Sequence, residues 1–565
     1  MKSEISQKRP LISRRSLLER TVLGSATAVA LGKQAKAQDR LVDNTAGEGI
    51  VLGPGIHEVS HNTTVTKDVM VLPGGRISVA AARKLTFLGD FQAPVGPVFI
   101  GPGTIDLTRS HAPVAHPEWW GALPDDPSLD CLAGLRSCLA AHHTMILGAG
   151  DYFIGDTFVV DHEYRRIWGA GYRSNGANQG SRLVLVQGAG AVLRVGTEQK
   201  PPSVNNFLQG IDIRWIELSR ARPIESGAVG MRVSFVLFSR FESISAREHT
   251  TGFAISGAVR TYFQDCLAFR SLDGVDGRQS IFRGFDLNGQ REIGLAGGNA
   301  SVYLVDCNTT IGGRPPLREA VGILMQGAFA DTYIINFETS EVPVGIRIEG
   351  MADSLGAGRR RSGHADVHIR MPILDQCGTS GIEIKNTSDH CLIDIVDPYV
   401  ALAPGALAAI FLSSVRGLAT IAGGQIICWV DADSGGNGIG FYAVDSEGFE
   451  ITGAKLLGAR RPLTLVRCRD FAISAAINNP DQSASQAAVW LQDCAHGRLN
   501  VRAKGRKGAF PQGIYLDGDN NDSLVIEVGG FDPSAIVGGT SNRVVNNQHI
   551  LAAPGQYDSL EIRGT

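Results

Sequence analysis

The sequence predicts an all-β protein, a right-handed parallel β-helix with a short capping helix near its N-terminal end. Three observations support this fold class. A short apolar pattern recurs eleven times after residue 225, and no helix-length amphipathic segment separates the copies. Within each copy the apolar residues alternate as they do in strands. Glycine is abundant, at 69 of 565 residues, which is typical of turn-rich β proteins.

Residues 1–37 have the features of a bacterial twin-arginine export signal. A twin arginine, Arg14-Arg15, precedes a moderately apolar stretch at residues 21–31, and Ala35-Lys36-Ala37 fits an A-x-A cleavage site. The apolar stretch is too short to span a bilayer. A chance basic amphipathic helix is the alternative. We expect the mature protein, residues 38–565, to be periplasmic or secreted, with no membrane attachment after cleavage.

Charge and cysteine content narrow the class of partner. Residues 1–37 carry eight Lys or Arg and two Asp or Glu, so their removal takes the formal net charge from −3 to −9. A mildly acidic exported protein without a basic stripe is a poor candidate for binding nucleic acid. The nine cysteines lack the paired spacing of metal sites, and their odd number precludes a closed set of disulfides. We expect most of them to be buried thiols.

Two short regions precede the long repeat. Residues 38–115 are a β-rich segment punctuated by glycine, and residues 116–143 contain HPEWWGA, an acidic turn and a short helix. The helix carries an apolar stripe made of Leu132, Leu135, Cys138 and Leu139. We expect this block to cap the β-helix, with Trp119 and Trp120 closing an open end of the core where unpaired strand edges would invite aggregation. Sugar stacking by Trp120 is the alternative.

The β-helix itself is predicted over residues 144–545, with a final strand or tail at 546–565. The repeated pattern is glycine, a large apolar residue, any residue and an aliphatic residue. Its copies begin at Gly230, Gly252, Gly284, Gly322, Gly345, Gly381, Ala409, Gly440, Pro462, Ala488 and Gly513. The spacing never falls below 22 residues, which three short strands and three turns fill. At about 4.8 Å per coil, eleven coils form a rod roughly 50 Å long. Sandwiches and propellers need hairpin turns or a fixed longer period.

The region before the repeat also resembles a known group of proteins. Pro117-Glu118-Trp119-Trp120-Gly121-Ala122, the helix after it and the strand LGAGDY at 147–152 resemble the front end of pectate-lyase-like right-handed β-helix proteins. This superfamily includes many phage tailspikes and bacterial polysaccharide-active enzymes. Residues 123–130 depart from its pattern because they lack the usual glycine and threonine. The resemblance implies the fold and a polysaccharide or oligosaccharide partner, but it specifies no chemistry.

The spacing excess between copies predicts where long turns could wall a groove. These turns fall at 271–280, 288–300, 311–318, 351–365 and 431–438. The first four belong to neighbouring coils, so coils two to five are the leading position for a site. Tolerated insertions without function are the alternative.

Glycosidic hydrolysis needs two carboxyl groups, one protonated and one ionised. The selected catalytic residues are Glu242, Glu248 and Asp265, and the selected substrate-binding residues are Arg270, Arg278 and the rim residue His249. Other acids in range are Asp273, Asp276, Asp306, Glu338 and Asp375.

Counting from the repeat glycine predicts how these residues stack. Phe241 and Phe263 should stack in the core, which places Glu242 over Gln264 and Asp265 over Ser243. Glu242 and Asp265 would then point to opposite faces unless a bulge or corner intervenes. Glu248 and Arg270 share an offset and are expected to form an ion pair between rungs. The open alternatives are a surface salt bridge with solvated carboxylates and a cluster whose repulsion protonates one acid.

The sequence favours an exported polysaccharide-active enzyme, either a glycoside hydrolase or a fructan-type transferase that uses a carboxylate pair. The inulin fructotransferases resemble this chain in having a β-helix. A lyase on an acidic glycan and a non-catalytic glycan-binding scaffold are the alternatives. Polygalacturonase signatures are missing. No metal is assigned. Asp431, Asp433 and Asn437, or Asp517 and Asp519, could offer oxygen ligands to calcium. The preference of Asp and Asn for turns explains the presence of these residues as well. No organic cofactor is expected, and the fold is compatible with a homotrimer.

Overall fold

The structure is a computed structural model of the chain. It describes residues 49–172, 180–199, 201–222, 227–271, 281–289, 299–312, 319–327, 329–350, 365–389, 391–428, 438–479, 487–505, 512–517, 524–529, 536–538, 544–546, 549–551 and 561–564. The signal sequence lies outside these ranges. Within them, no helix is long and apolar enough to cross a membrane.

The first part of the described chain is a short stack of three coils. Its nine strands form three parallel three-stranded sheets, so each coil contributes one strand to each sheet. The strands are Ile50–Leu52, Gly55–Val59, Thr63–Val65, Val69–Val71, Gly75–Val79, Lys84–Phe87, Phe91–Gln92, Phe99–Ile100 and Thr104–Asp106. The β-rich segment before the tryptophans is therefore itself coiled.

The rest of the chain is a long parallel β-helix with three sheets, called A, B and C in the order in which a coil visits them. Sheet A contains Phe158–Val160, Ala191–Gly196, Val229–Leu237, the first half of Thr251–Gln264, Ile281–Asn288, Glu319–Gln326, Val344–Glu349, Ser380–Lys385, Ala408–Ser413, Ile439–Val444, Arg461–Val466, Ala487–Gln492, Gln512–Asp517 and Ile536–Gly538.

Sheet B and sheet C are joined by a sharp corner, and several long strands run through it. Sheet B contains Thr144–Ile146, Arg166–Trp168, the second half of Thr251–Gln264, Asn299–Val305, Phe329–Ile335, Ala365–Arg370, Leu392–Val396, Leu418–Ala422, Val525–Gly529 and Glu561–Gly564. Sheet C contains Gly150–Ile154, Ser181–Leu185, Leu267–Ser271, Asn308–Gly312, Glu338–Ser340, Ile373–Cys377, Tyr399–Leu402 and Gln425–Cys428. The strands that span both sheets are Asp212–Arg220, Arg240–Arg247, Phe449–Leu457, Arg469–Asn479 and Ala495–Gly505. Outside these sheets, Leu208–Gln209 pairs with the end of Val229–Leu237, and Val544–Asn546 pairs antiparallel with His549–Leu551.

The repeated sequence pattern is confirmed as the stacking unit. All eleven copies fall in sheet A, and the large apolar residue of each copy pairs in register with the next. This column consists of Met231, Phe253, Phe285, Ile323, Ile346, Ile382, Ile410, Phe441, Leu463, Val489 and Ile514, all buried. Phe253 and Phe285 stack with ring centroids 4.7 Å apart. The alternation of apolar residues therefore builds one continuous core.

The repeat glycines allow the facing sheet to approach closely. A Cβ atom on Gly284 would lie 2.2 Å from Thr309 Oγ1 and 2.5 Å from the carbonyl oxygen of Gly322. A Cβ on Gly252 would lie 2.6 Å from Cβ of Ala268 and 2.7 Å from the carbonyl oxygen of Gly284. Any larger residue would push the rungs apart, because protein cores have no free space at this scale.

The tryptophan block forms a coil between the two stacks. Pro117–Trp120 is a 3₁₀ turn and Leu132–Ala141 is helix α1; a second 3₁₀ turn lies at Val204–Asn206. The Val98 N–H donates to Trp119 O on one side of the block, and the Cys131 N–H donates to Phe153 O on the other. The expectation that this block closes an open end is wrong for the described chain, because three coils precede it. Trp119 is buried and donates its indole N–H to Pro94 O at 3.1 Å.

Candidate active site

A groove of about 610 Å³ lies on the outer face of sheet C, beside the corner with sheet B. It crosses five neighbouring rungs, those of Arg247, Asp265, Asp306, Asn336 and Ile373. The polar and aromatic side chains that line it are Tyr172, Arg247, Asp265, Phe269, Asp306, Asn308, Thr310, Asn336 and Glu338. These coils include the predicted position, coils two to five. The long turns expected to wall the groove lie almost entirely outside the described residues.

The corner between sheets B and C explains why acidic and amide residues line up here. Asp265, Asp306 and Asn336 occupy the same place on consecutive rungs, each with a left-handed backbone at φ between 52° and 53°. Among non-glycine residues, Asp and Asn adopt this conformation most readily. The turn chemistry of the corner therefore places one polar side chain per rung, about 4.8 Å apart.

Each corner carboxylate is oriented by a neighbouring rung. The Ser243 hydroxyl donates to Asp265 Oδ2 at 2.7 Å, and the Asn336 amide nitrogen donates to Asp306 Oδ1 at 3.0 Å. Both aspartates remain exposed to solvent, as does Glu338, which lies two residues after the corner residue of its rung. Three carboxylates on three consecutive rungs thus face the same groove.

An aromatic stack on sheet B holds these rungs in register. Tyr262, Tyr303, Tyr333 and His368 stack along the outer face, with successive ring centroids 4.4, 5.0 and 4.8 Å apart. The stack runs along the same coils that carry the corner residues. Aromatic pairs of this kind add about 0.5–1.5 kcal/mol each beyond their buried area. They therefore help to keep the spacing of the corner carboxylates constant.

Among the described residues that line the groove, only Arg247 has a positively charged side chain. Its guanidinium lies 5.0 Å above the ring centroid of Phe269, and its Nε is 3.5 Å from Oε2 of Glu217. Glu217 is buried and also lies 3.7 Å from Arg182, which donates to Asp151 at 2.8 Å. These ion pairs hold the Arg247 side chain in place on its buried side.

Tyr172 borders the groove from the loop after Arg166–Trp168. Burial raises the pKa of its phenol, the charge of Asp265 raises it further, and Arg247 lowers it. The phenol is therefore protonated at neutral pH and can donate a hydrogen bond to a ligand. Its ring and that of Phe269 also give the groove two apolar surfaces.

The structure separates Glu242 from the groove. Phe241 and Phe263 stack at 4.9 Å and Glu242 pairs with Gln264, as predicted. The corner at Ser243 and Asp265 then turns the chain, so Glu242 stays on the outer face of sheet B. There its carboxylate lies 3.2 Å from Arg214 and 3.1 Å from Arg240. Of the three selected carboxylates, Asp265 lines the groove.

Glu248 and Arg270 lie at the end of sheet C. The Ser271 N–H points at the Glu248 carboxylate, with both oxygens 3.3 Å away. Arg270 is only 3% exposed and donates to Ile281 O at 2.6 Å. It follows Cys266 and Ala268 at alternate positions and therefore faces inward. Its burial does not fit the predicted substrate-binding role, whereas the ion pair with Glu248 stays a prediction.

His249 is not a rim residue. Its side chain is 1% exposed, its Nδ1 accepts from Arg220 at 3.1 Å, and its Nε2 donates to Leu218 O at 3.1 Å. Burial and the charge of Arg220 lower the pKa of His249 to about 3. The ring is therefore neutral and fills a structural position. Arg278 lies outside the described residues.

Sequence reasoning named Asp306 and Glu338 without selecting them, and it missed Arg247 and Tyr172. A usable signal was present, because the dipeptide Asp-Cys occurs at 265–266 and again at 306–307. In both cases the cysteine points into the core directly after the corner residue. The contributions of Arg247 and Tyr172 depend on contacts between distant segments.

The described residues contain no group of three or more His, Cys, Asp or Glu side chains placed to hold a metal ion. Asp431, Asp433, Asn437 and Asp519 lie outside the described ranges. The nine cysteines are all buried thiols.

Comparison with known proteins identifies similar folds. No protein-family profile and no curated protein matches the chain. The A-module of mannuronan C-5 epimerase AlgE6 from Azotobacter vinelandii is similar, with 12% identity, a TM-score of 0.43, and coverage of 75% of this chain and 99% of that one. The catalytic unit of a GH87 α-1,3-glucanase from Streptomyces thermodiastaticus has 14% identity, a TM-score of 0.44, and coverage of 76% and 67%. Gene product 12 of bacteriophage phi29, in its pre-mature form, has 11% identity, a TM-score of 0.45, and coverage of 80% and 56%. These similarities carry no information about the chemistry of the groove.

Proposed function

We propose that this chain is an exported carbohydrate-active enzyme that binds a glycan along the groove and cleaves a glycosidic bond with Asp265 and Asp306. The observation that supports it is the alignment of the two carboxylates on adjacent rungs inside an open groove. Aromatic rings, hydroxyls and amides beside them suit a sugar, which presents both apolar C–H faces and hydroxyl groups.

We assign the pair a retaining mechanism because the two aspartates lie on adjacent rungs. Adjacent rungs of a parallel sheet are about 4.8 Å apart along the backbone, and a retaining mechanism needs the carboxyl groups about 5–5.5 Å apart. One carboxylate would attack the anomeric carbon while the other, protonated, gives its proton to the leaving oxygen. Water, deprotonated by the second group, would then release the sugar from the enzyme.

The test uses the mature protein, residues 38–565, with a panel of neutral, fructan, amino-sugar and uronic-acid polysaccharides. Reducing ends, chain-transfer products and ultraviolet absorbance are followed together, so hydrolase, transferase and lyase give different signals. We expect new reducing ends on one polymer, and a loss of about 10²–10⁴-fold for Asp265→Asn or Asp306→Asn.

Asp397→Asn is the matched control. Asp397 has the same left-handed corner conformation, φ 51°, and lies two rungs beyond Asn336, outside the groove. This variant should keep its activity within about twofold, given that asparagine tolerates the conformation. Full activity in both groove variants would refute the carboxylate pair. Binding without any turnover would instead favour a glycan-binding scaffold.

A further inference from the structure

The described side chains that line the groove are dominated by negative charge. Asp265, Asp306 and Glu338 contribute three carboxyl groups, at least two of them ionised when one aspartate serves as the acid, and Arg247 contributes one guanidinium. The side-chain donors to the two aspartates are the Ser243 hydroxyl and the Asn336 amide, which carry no charge. These hydrogen bonds orient the carboxylates without neutralising them.

The positive charge of Arg247 is compensated from below. Its Nε lies 3.5 Å from the carboxylate of Glu217, which is 2% exposed and therefore poorly screened by water. Its guanidinium also lies over the electron-rich face of Phe269. An anion entering the groove would meet an arginine that already has a buried counter-ion.

A bridging cation could in principle reverse this preference. Calcium bound between protein carboxylates can hold a uronate in an acidic groove. The described residues include no such group of three or more candidate ligands, however.

We infer that the groove accepts a glycan that is uncharged or bears amino groups, and that it rejects polyuronates. This inference rests on the proposed function and specifies its substrate class. Two unit charges about 4 Å apart in water interact by about 1 kcal/mol, a factor of about five in affinity. Several uronate groups spread over five rungs would multiply that penalty, whereas amino groups would gain from the same field.

The experiment measures binding to polymers of three charge classes: dextran, inulin and β-glucan as neutral polymers, chitosan as the amino polymer, and polygalacturonate and alginate as polyuronates. Titrations are run at 20 and 200 mM NaCl, with EDTA and with added calcium. We expect binding within the neutral or amino class. Salt should weaken chitosan binding and leave neutral binding unchanged.

Glu338→Gln and Glu338→Lys test the role of groove charge. The first should weaken chitosan binding about fivefold more than it weakens neutral binding, and the second should produce measurable polyuronate binding. Asp397→Asn removes the same charge outside the groove and should change neither by more than about twofold, which controls for general attraction to an acidic protein.

Two results would overturn different conclusions. Polyuronate binding that exceeds binding to the other classes, with or without calcium, would refute the charge preference and leave the glycan-binding groove intact. Binding to none of the polymers would refute the proposed function and the inference together.

Discussion

Adding one methyl group to the glycine column of sheet A should strain the solenoid at a defined place. In Gly284→Ala the new Cβ would lie 2.2 Å from Thr309 Oγ1, 2.6 Å from Thr309 Cγ2 and 2.5 Å from the carbonyl oxygen of Gly322. Real Cβ atoms essentially never approach within 3.0 Å, so Thr309 or the rung must move. Overpacking of this kind costs about 1–3 kcal/mol.

Local opening is the appropriate readout, because each coil of a solenoid contacts mainly its neighbours and global unfolding is not all-or-none. For a cost of about 2 kcal/mol, hydrogen exchange in Ile281–Asn288 and Glu319–Gln326 should become about 30-fold faster. Exchange in Ala487–Gln492, several coils away, should stay unchanged.

Two further variants identify the cause. Gly440→Ala adds a methyl group in the same column. There the nearest side-chain atom is 3.4 Å from the new Cβ, and only the carbonyl oxygen of Pro462, at 2.7 Å, is closer than 3.0 Å. The destabilisation should therefore be smaller than in Gly284→Ala. Thr309→Ala removes two of the three clashing atoms, so the double variant Gly284→Ala/Thr309→Ala should be less destabilised than the sum of the single variants by more than about 0.5 kcal/mol. Strict additivity, or a Gly284→Ala variant as stable as its parent, would show that close packing against Thr309 is not what limits this position.

Three other outcomes can be measured separately. The pKa of His249 is about 3 in the folded chain against an ordinary 6.5, so the unfolded chain binds more protons between these values and local stability should fall as pH drops, by up to about 5 kcal/mol. The opening free energy from hydrogen exchange in Asp212–Arg220, which contacts this ring, should differ less between pH 7 and pH 4 in His249→Gln than in the parent. Phe263→Ala should lower the free energy of local opening by about 3–5 kcal/mol, because Phe263 is fully buried and stacked on Phe241. Tyr262→Ala, at a side chain 46% exposed, should cost much less in the same hydrogen-exchange assay. Replacing Arg14 and Arg15 by lysine should retain the protein in the cytoplasm on cell fractionation, and unchanged export would rule out the twin-arginine route.

The solenoid was predictable from the sequence because its core repeats in sequence as well as in space. Met231, Phe253 and Phe285 recur behind the same glycine pattern, and the structure stacks them in consecutive rungs. The position of the tryptophan block was not predictable in the same way. The coils that precede it at residues 50–106 carry the glycine motif once, at Gly49-Ile50-Val51-Leu52, and without its repetition nothing local showed that they are coils as well.

The candidate site was only partly predictable because outward residues carry no comparable repetition. The register that places Asp265 over Ser243 followed from counting, and the hydrogen bond between them agrees with it. His249 and Arg270 are polar residues at the ends of strands, which made them resemble rim residues. The structure buries both, since a histidine or an arginine can enter a core when its nitrogen atoms find carbonyl or side-chain partners.

The class of fold, the rung period and the inward face of each strand could be read from the amino-acid sequence, since they follow from local alternation and from the small volume of glycine. Which outward side chains share a groove could be known only from the folded coils. Asp265 and Asp306 are 41 residues apart, and Arg247 depends on Glu217 from the preceding coil. The number of residues inserted between rungs varies, so proximity on the surface of a solenoid depends on how the coils close and not on distance along the chain.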